Sequence, residues 1–184
     1  YDFLVRPLAD AFEGTDGNVY VVDMYRGILQ HRIFMTTFLR KQILERKLDQ
    51  NVGLGRIYRI SQDDAIYESP LDLTALTNQQ LVSMLRDTNG CRRDLAQQQL
   101  VERRAIDVTG LLHDLAREPA ASPSRLHALW TLEALGKVDR DDVLAALSAI
   151  DSQSRVHGLR LAEKFLGDQE IESAVIACSY DSEI

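Results

Sequence analysis

Asp23, Tyr25 and Arg26 fall within four residues of one another, and His31 follows in the same polar stretch. A carboxylate at a strand end can accept backbone N–H groups and so orient the loop that follows, or it can help hold an ion or cofactor. A guanidinium offers a rigid fork of donors to an anion, or forms a salt bridge within its own loop. A loop histidine can ligate a metal or make a structural hydrogen bond. One carboxylate does not make a calcium site. Other candidates carry less chemistry. His113 has Asp114 beside it, but sequence neighbours on a helix do not face each other. His127 and His157 recur at matching positions of a repeat, which favours packing, and Trp130 is expected in a helical core. Cys91 and Cys178 fit no zinc or haem spacing and read as small hydrophobes on helices. The chain has no nucleophile–base pair, no glycine-rich phosphate loop and no sequence cluster of metal ligands, so it offers no catalytic residue.

The elements that position the first group are β-rich. Asp16-Gly17 is a turn pair, because glycine tolerates positive φ. Val19 to Val22 supply the β-branched and aromatic residues of a strand. A second strand, Arg56-Ile57-Tyr58-Arg59-Ile60, is entered through Gly53-Leu54-Gly55, with Ile57 and Arg59 on one face and Arg56, Tyr58 and Ile60 on the other. Residues 24–54 between the strands form an insertion. It holds a helix over Phe38 to Leu48, capped by Thr36 or Thr37, with basic residues late, where they suit the negative end. The two strands make a β-hairpin with an insertion, and two strands cannot stand alone. They predict a sheet whose partners this chain lacks. Tyr1-Asp2-Phe3-Leu4-Val5 reads like the middle of a fold, and Ser182-Glu183-Ile184 ends abruptly. The expectation is therefore a multidomain fragment, mostly α.

These residues carry a resemblance. Asp-Gly-x-(apolar)-Tyr-Val-x-Asp, followed by Gly-Arg-Ile-Tyr-Arg-Ile, resembles the closing blade of the glucose/sorbosone dehydrogenase type of six-bladed β-propeller. The insertion Asp23-Met24-Tyr25-Arg26-Gly27-Ile28-Leu29-Gln30-His31-Arg32, with Thr37-Phe38-Leu39-Arg40-Lys41-Gln42-Ile43, is similar to the large membrane-bound dehydrogenase family of planctomycetes and verrucomicrobia. There a quinoprotein-like propeller precedes HEAT-like repeats, and a c-type cytochrome domain often follows. The resemblance implies an exported or periplasmic oxidoreductase acting on a sugar or alcohol, with pyrroloquinoline quinone (PQQ) and calcium in the propeller and haem c on a downstream domain. It makes Arg26 the best contact to an anionic quinone, with Tyr25, Asp23 and His31 as weaker cofactor-binding candidates. The catalytic base would lie upstream of Tyr1. The implied partners are a cytochrome domain or other electron acceptor and a carbohydrate substrate. A non-catalytic propeller that binds carbohydrate, with repeats that bind protein, is the alternative. A purely structural scaffold is a third.

The back two thirds change character. After residues 1–62 and a linker over 63–77, proline and glycine fall between helical segments rather than inside them across 78–184. Thr77-Asn78-Gln79-Gln80 is a capping box opening a helix over Gln79 to Arg86. Further helices are expected from Arg92 to Arg103, from Asp107 to Glu118, from the Ser122-Pro123 cap to Gly136, from Asp139, and from Asp151 or Ser152 to Gly167. Arg93, Arg125 and Arg155 align at spacings of 32 and 30 residues. A small residue follows each after three positions, and an apolar or small one after seven. That pattern predicts an α-helical, HEAT-like solenoid of paired helices offering protein–protein contacts.

Charge divides the same way. The net charge of −7 comprises about +2 over residues 1–60 and about −9 over the remainder. An acidic helical half excludes a nucleic-acid face, which needs a basic stripe. No apolar run is long enough to span a membrane.

Overall fold

The computed structural model describes residues 8–28, 31–64, 71–119 and 123–183. The expectations placed on Tyr1–Val5, on the centre of the 63–77 linker and on the Ser122 cap lie outside these residues. The chain divides into two compact units, Tyr1–Pro70 and Leu71–Ile184.

In the first unit, β1 (Leu8–Glu13), β2 (Val19–Asp23) and β3 (Arg56–Ile60) form an antiparallel sheet in the order β1-β2-β3. The hairpin expected from two strands is thus a three-stranded meander. β1 escaped notice because Leu8-Ala9-Asp10-Ala11-Phe12-Glu13 has few β-branched residues; its pairing with β2 makes it a strand. The Asp16-Gly17 turn joins β1 to β2, with Gly17 at φ 75°. Asp16 braces it by accepting from the Asn18 N–H and the Tyr20 hydroxyl, at 3.2 and 2.8 Å. The insertion holds α1 (Thr37–Glu45), whose N-cap is Thr36, accepting from the Leu39 N–H. It ends at Glu45, three residues earlier than expected, and a left-handed Lys47 then leads into a 3-10 turn over Leu48–Gln50.

The second unit is helical: α2 (Asn78–Met84), α3 (Gly90–Glu102), α4 (Thr109–Ala116), α5 (Pro123–Ala134), α6 (Arg140–Leu147), α7 (Ser152–Ala162) and α8 (Gln169–Cys178). α7 stops at Ala162, in a short 3-10 turn, before the Gly167 stop that the sequence offered. The strand-free segment beyond Gly167 holds α8, which the spacing of stop signals did not announce. Thr77 and Gln80 close the expected capping box, and Asp139 and Asp142 form a second one. Gly136, at φ 65°, ends α5 in a C-terminal cap, its N–H bonded to the Glu133 carbonyl.

The helices pack as successive pairs, α2 with α3, α4 with α5 and α6 with α7. α3, α5 and α7 also contact one another in turn, as do α2, α4, α6 and α8. Ala96, Ala128 and Gly158, the small residues of the pattern, are all buried, and so are Leu100, Leu132 and Ala162 four positions on. Each arginine of the pattern donates to carbonyls at or just past the end of a helix. Arg93 reaches Asp87 and Thr88 at 2.7 and 2.9 Å. Arg155 reaches Ala149 and Ile150 at 2.9 and 2.5 Å. Arg125, itself buried, reaches Ala116 at 2.8 Å and Ala145. Carbonyls at helix ends lack intrahelical partners, so a guanidinium there satisfies several at once. Trp130 is half-buried rather than fully in the core. Its indole N–H donates to His157 Nδ1 at 3.0 Å, which keeps the polar edge of the ring at the rim.

Candidate functional site

β2 ends on Asp23, and the chain then turns sharply. Asp23 is 5% exposed, and its Oδ1 accepts the Tyr25 N–H at 2.9 Å. This is the loop-orienting role that a strand-end carboxylate can take. Tyr25 sits at φ 38°, a left-handed conformation rare outside glycine. Two residues on, the loop passes so close to the 3-10 turn that a Cβ at Gly27 would lie 2.3 Å from the Leu48 carbonyl oxygen. Only glycine fits there. The path from Asp23 to Gly27 is thus fixed at three points, and Arg26 sits between the last two.

An open cleft of about 500 Å³ lies beside this turn, lined by Asp23, Arg26, Val52, Gly53, Arg56 and Ile57, among others. Arg56 opens β3, directly across from Asp23 in the register. Its guanidinium carbon stands 4.9 Å from the centre of the Tyr25 ring, and its Nη1 donates to the Tyr58 hydroxyl at 3.1 Å. The Tyr58 bond raises an already high pKa, so Arg56 is a permanent cation. The cleft therefore brings two arginines among apolar lining residues, with the buried Asp23 beside them. That arrangement suits an anion with a flat or apolar body.

Of the four residues singled out by sequence, Asp23 and Arg26 line the cleft and Tyr25 supports Arg56. His31 is not among the cleft's lining residues. It is exposed, its Nδ1 accepts a long 3.4 Å bond from the Ile33 N–H, and its ring meets Phe34 edge-on. Arg56 was missed as a site residue. Its signal was the cross-strand register that puts it opposite Asp23, and the length of the insertion hid that register.

A family profile described as a domain of unknown function (DUF7133) matches residues 1–64. The match spans the sheet, the insertion and the cleft. No curated protein and no solved structure matches the chain.

A second polar cluster lies in the helical unit. Asp142, fully buried on α6, accepts from His113 Nδ1 at 2.9 Å, from Arg117 Nε at 2.8 Å and from the Asp139 N–H at 2.9 Å. Arg117 Nη2 also donates to Asp139 at 2.6 Å. Burial opposes ionisation of Asp139, but the Asp142 N–H and the Arg117 charge outweigh it and hold its carboxyl below the usual range. Ligand atoms of His113, Asp139 and Asp142 lie within 4.8 Å of one another, close enough for a metal on distance alone. Arg117 already supplies the cation that these carboxylates require, bridging both. The cluster acts as a clasp between α4 and α6. Among the described residues no helix is long and apolar enough to cross a membrane.

Proposed function

We propose that this chain is part of an exported quinoprotein-type oxidoreductase acting on a sugar or alcohol. In that reading the three-stranded meander is the last part of a propeller blade, and the paired helices are a HEAT-like array that holds a partner, such as a cytochrome domain, near the propeller. The observation that carries the proposal is the convergence of Arg26 and Arg56 on one apolar-walled cleft beside Asp23. An up-and-down antiparallel sheet is the unit from which propeller blades are built, and the sequence of the insertion matches the resemblance described above. Helices that pair in order, with buried small residues at the crossings, are the stuff of helical repeat arrays.

The cleft fits the quinone in one respect and not in another. The guanidinium groups of Arg26 and Arg56 would hold the carboxylates of an anionic quinone, which supplies the two-electron acceptor when bound. Asp23 gives a metal only one carboxylate, and that carboxylate is already engaged by the Tyr25 N–H, so calcium would need ligands from elsewhere. No imidazole and no second carboxylate lines the cleft among the described residues. The proton-abstracting step therefore belongs to other residues of the whole protein. The same lack favours the second reading, a binding module in which the cleft takes a carbohydrate and the helices take a protein.

Assaying the full-length protein with and without PQQ and calcium, using dye reduction with sugars and alcohols, separates the two. Quinone-dependent dye reduction supports the oxidoreductase. Carbohydrate binding without turnover under any combination supports the module. Arg26→Ala should weaken quinone binding about tenfold or more, the worth of a charge-assisted hydrogen bond, with an unchanged circular dichroism spectrum. Equal affinity removes Arg26 from the site.

A further inference from the structure

α6 and α8 begin alike and end differently. Asp139 and Asp168 each cap their helix by accepting backbone N–H bonds from its first turn. Aligned on these caps, Ala146 and Leu147 of α6 match Val175 and Ile176 of α8. In α6 both are buried. α7 is the helix that covers them: a Cβ added to Gly158 would lie 2.9 Å from the Leu147 nitrogen and 3.1 Å from Ala146 Cβ. In α8 Val175 is half-buried and Ile176 is 62% exposed. Tyr180, about one turn further along, is 87% exposed. α8 is anchored on its other side by Ile171 and Cys178, which join the core. The face that α6 gives to its partner helix is thus partly repeated on α8, where Val175 packs against the core and Ile176 stands exposed.

The repeat also says what such a cover looks like. α7 brings Arg155 in its first turn, reaching the carbonyls past the end of α6, followed by Gly158 and Ala162 against the partner. α3 and α5 bring Arg93 with Ala96 and Arg125 with Ala128 in the same order. The surroundings of the bare face are acidic. Glu172 is exposed on α8, and Asp181 and Glu183 follow it, where they already gather Arg155 from α7. A rim of carboxylates favours a helix that enters with a cation.

We propose that the Ile176 face of α8 is a docking surface for an amphipathic helix that carries an arginine in its first turn and small residues three and seven positions later. The claim rests on the repeated pairing of helices and owes nothing to the oxidoreductase reading, so failure of one leaves the other standing.

A labelled peptide copying Asp151 to Leu166 is the probe. Titrated with the whole chain, it should bind saturably. Ile176→Glu should weaken binding about tenfold or more, as loss of a central apolar anchor does. Tyr180→Glu gives an independent test on the same face. Both positions are exposed, so circular dichroism should report an intact fold. A peptide with alanine in place of its arginine should bind about threefold or more weakly, because the end-of-helix carbonyls lose a charged donor. Three results would overturn the proposal. The first is no saturable binding up to millimolar peptide. The second is binding that neither glutamate variant weakens. The third is a dimer, seen by sedimentation and abolished by Ile176→Glu, which would make the occupant a second copy.

Discussion

The sheet unit and the helical unit solve burial in opposite ways. From Leu81 on α2 to Cys178 on α8, the helical unit builds one continuous core of buried leucine, valine, isoleucine and alanine. In the sheet unit Ile43, on the insertion helix, is the one apolar side chain buried among the described residues, while Phe12, Val19, Ile57, Tyr58 and Ile60 of the strands are exposed. Every residue of β3 is exposed. The contrast follows from geometry. A helix pair buries its stripe against its own neighbour in sequence, so each added pair extends the core. A sheet buries a face only when another layer covers it. Regular hydrogen bonding is present in both units, but among the described residues only the helical unit shows extensive apolar burial, the term that drives folding.

Single truncations should break this symmetry most clearly. Leu132→Ala, at a fully buried position of α5, should cost about 2–5 kcal/mol. Ile57→Ala, 67% exposed on β3, should cost no more than about 0.5 kcal/mol in the same chain. Urea unfolding followed by circular dichroism measures both. Equal costs would mean that the sheet has a cover of its own.

A smaller effect tests how closely the helices approach. Gly158→Val places a side chain against the Leu147 backbone, where no flexible neighbour can yield. Overpacking of this kind should lower stability by about 1–3 kcal/mol. The comparison is sharpened by Gly53→Ala in the sheet unit. That Cβ meets nothing, and only the positive φ of 71° opposes it, at about 1 kcal/mol. A calorimetric melt that ranks Gly53→Ala above Gly158→Val would remove close helix approach as a source of stability.

The smallest effect is a pH dependence confined to the helical unit. Burial holds the His127 and His157 imidazoles below their usual value, reinforced by Arg93 and Arg160 respectively, although Asp94 pulls His127 the other way. As pH falls through about 6.5, the unfolded chain therefore binds protons before the folded one does. Stability should decline from there and level off once the folded imidazoles also protonate. Comparing unfolding midpoints at pH 7.5 and pH 5 in the parent and in His127→Gln/His157→Gln checks it. The double variant should lose part of the decline. An unchanged slope would show that other groups set it.

Much of the helical unit was legible from local signals. Thr77, Asp139 and Asp151 each act as N-caps by accepting a backbone N–H from the first turn, and Gly136 ends a helix. What stayed hidden was which side chains meet across the repeat. His113 seemed to have only Asp114 for company, yet it pairs with Asp142. His127 meets Gln97, Trp130 meets His157, and Arg86 meets Glu118, each about one repeat away. Setting residues one period apart side by side would have found these pairs. In the sheet unit the second and third strands and the insertion helix were readable from β-branched runs and a threonine cap. β1 was not, because its strand character comes from pairing with β2.

By itself the sequence determined where most of the helices start, which repeat positions are small or apolar, and that Asp23 would close a strand. Those features depend on caps, periodicity and short-range hydrogen bonds, which act within a few residues. Tertiary structure alone decided that Arg56 would stand over Tyr25 and join Arg26 at one cleft, that Gly27 must clear the Leu48 carbonyl, and that Asp142 would be clasped by His113 and Arg117. These contacts join residues that lie some twenty to thirty positions apart. No local propensity encodes them, because they exist only once strand register and helix pairing have brought distant backbone together.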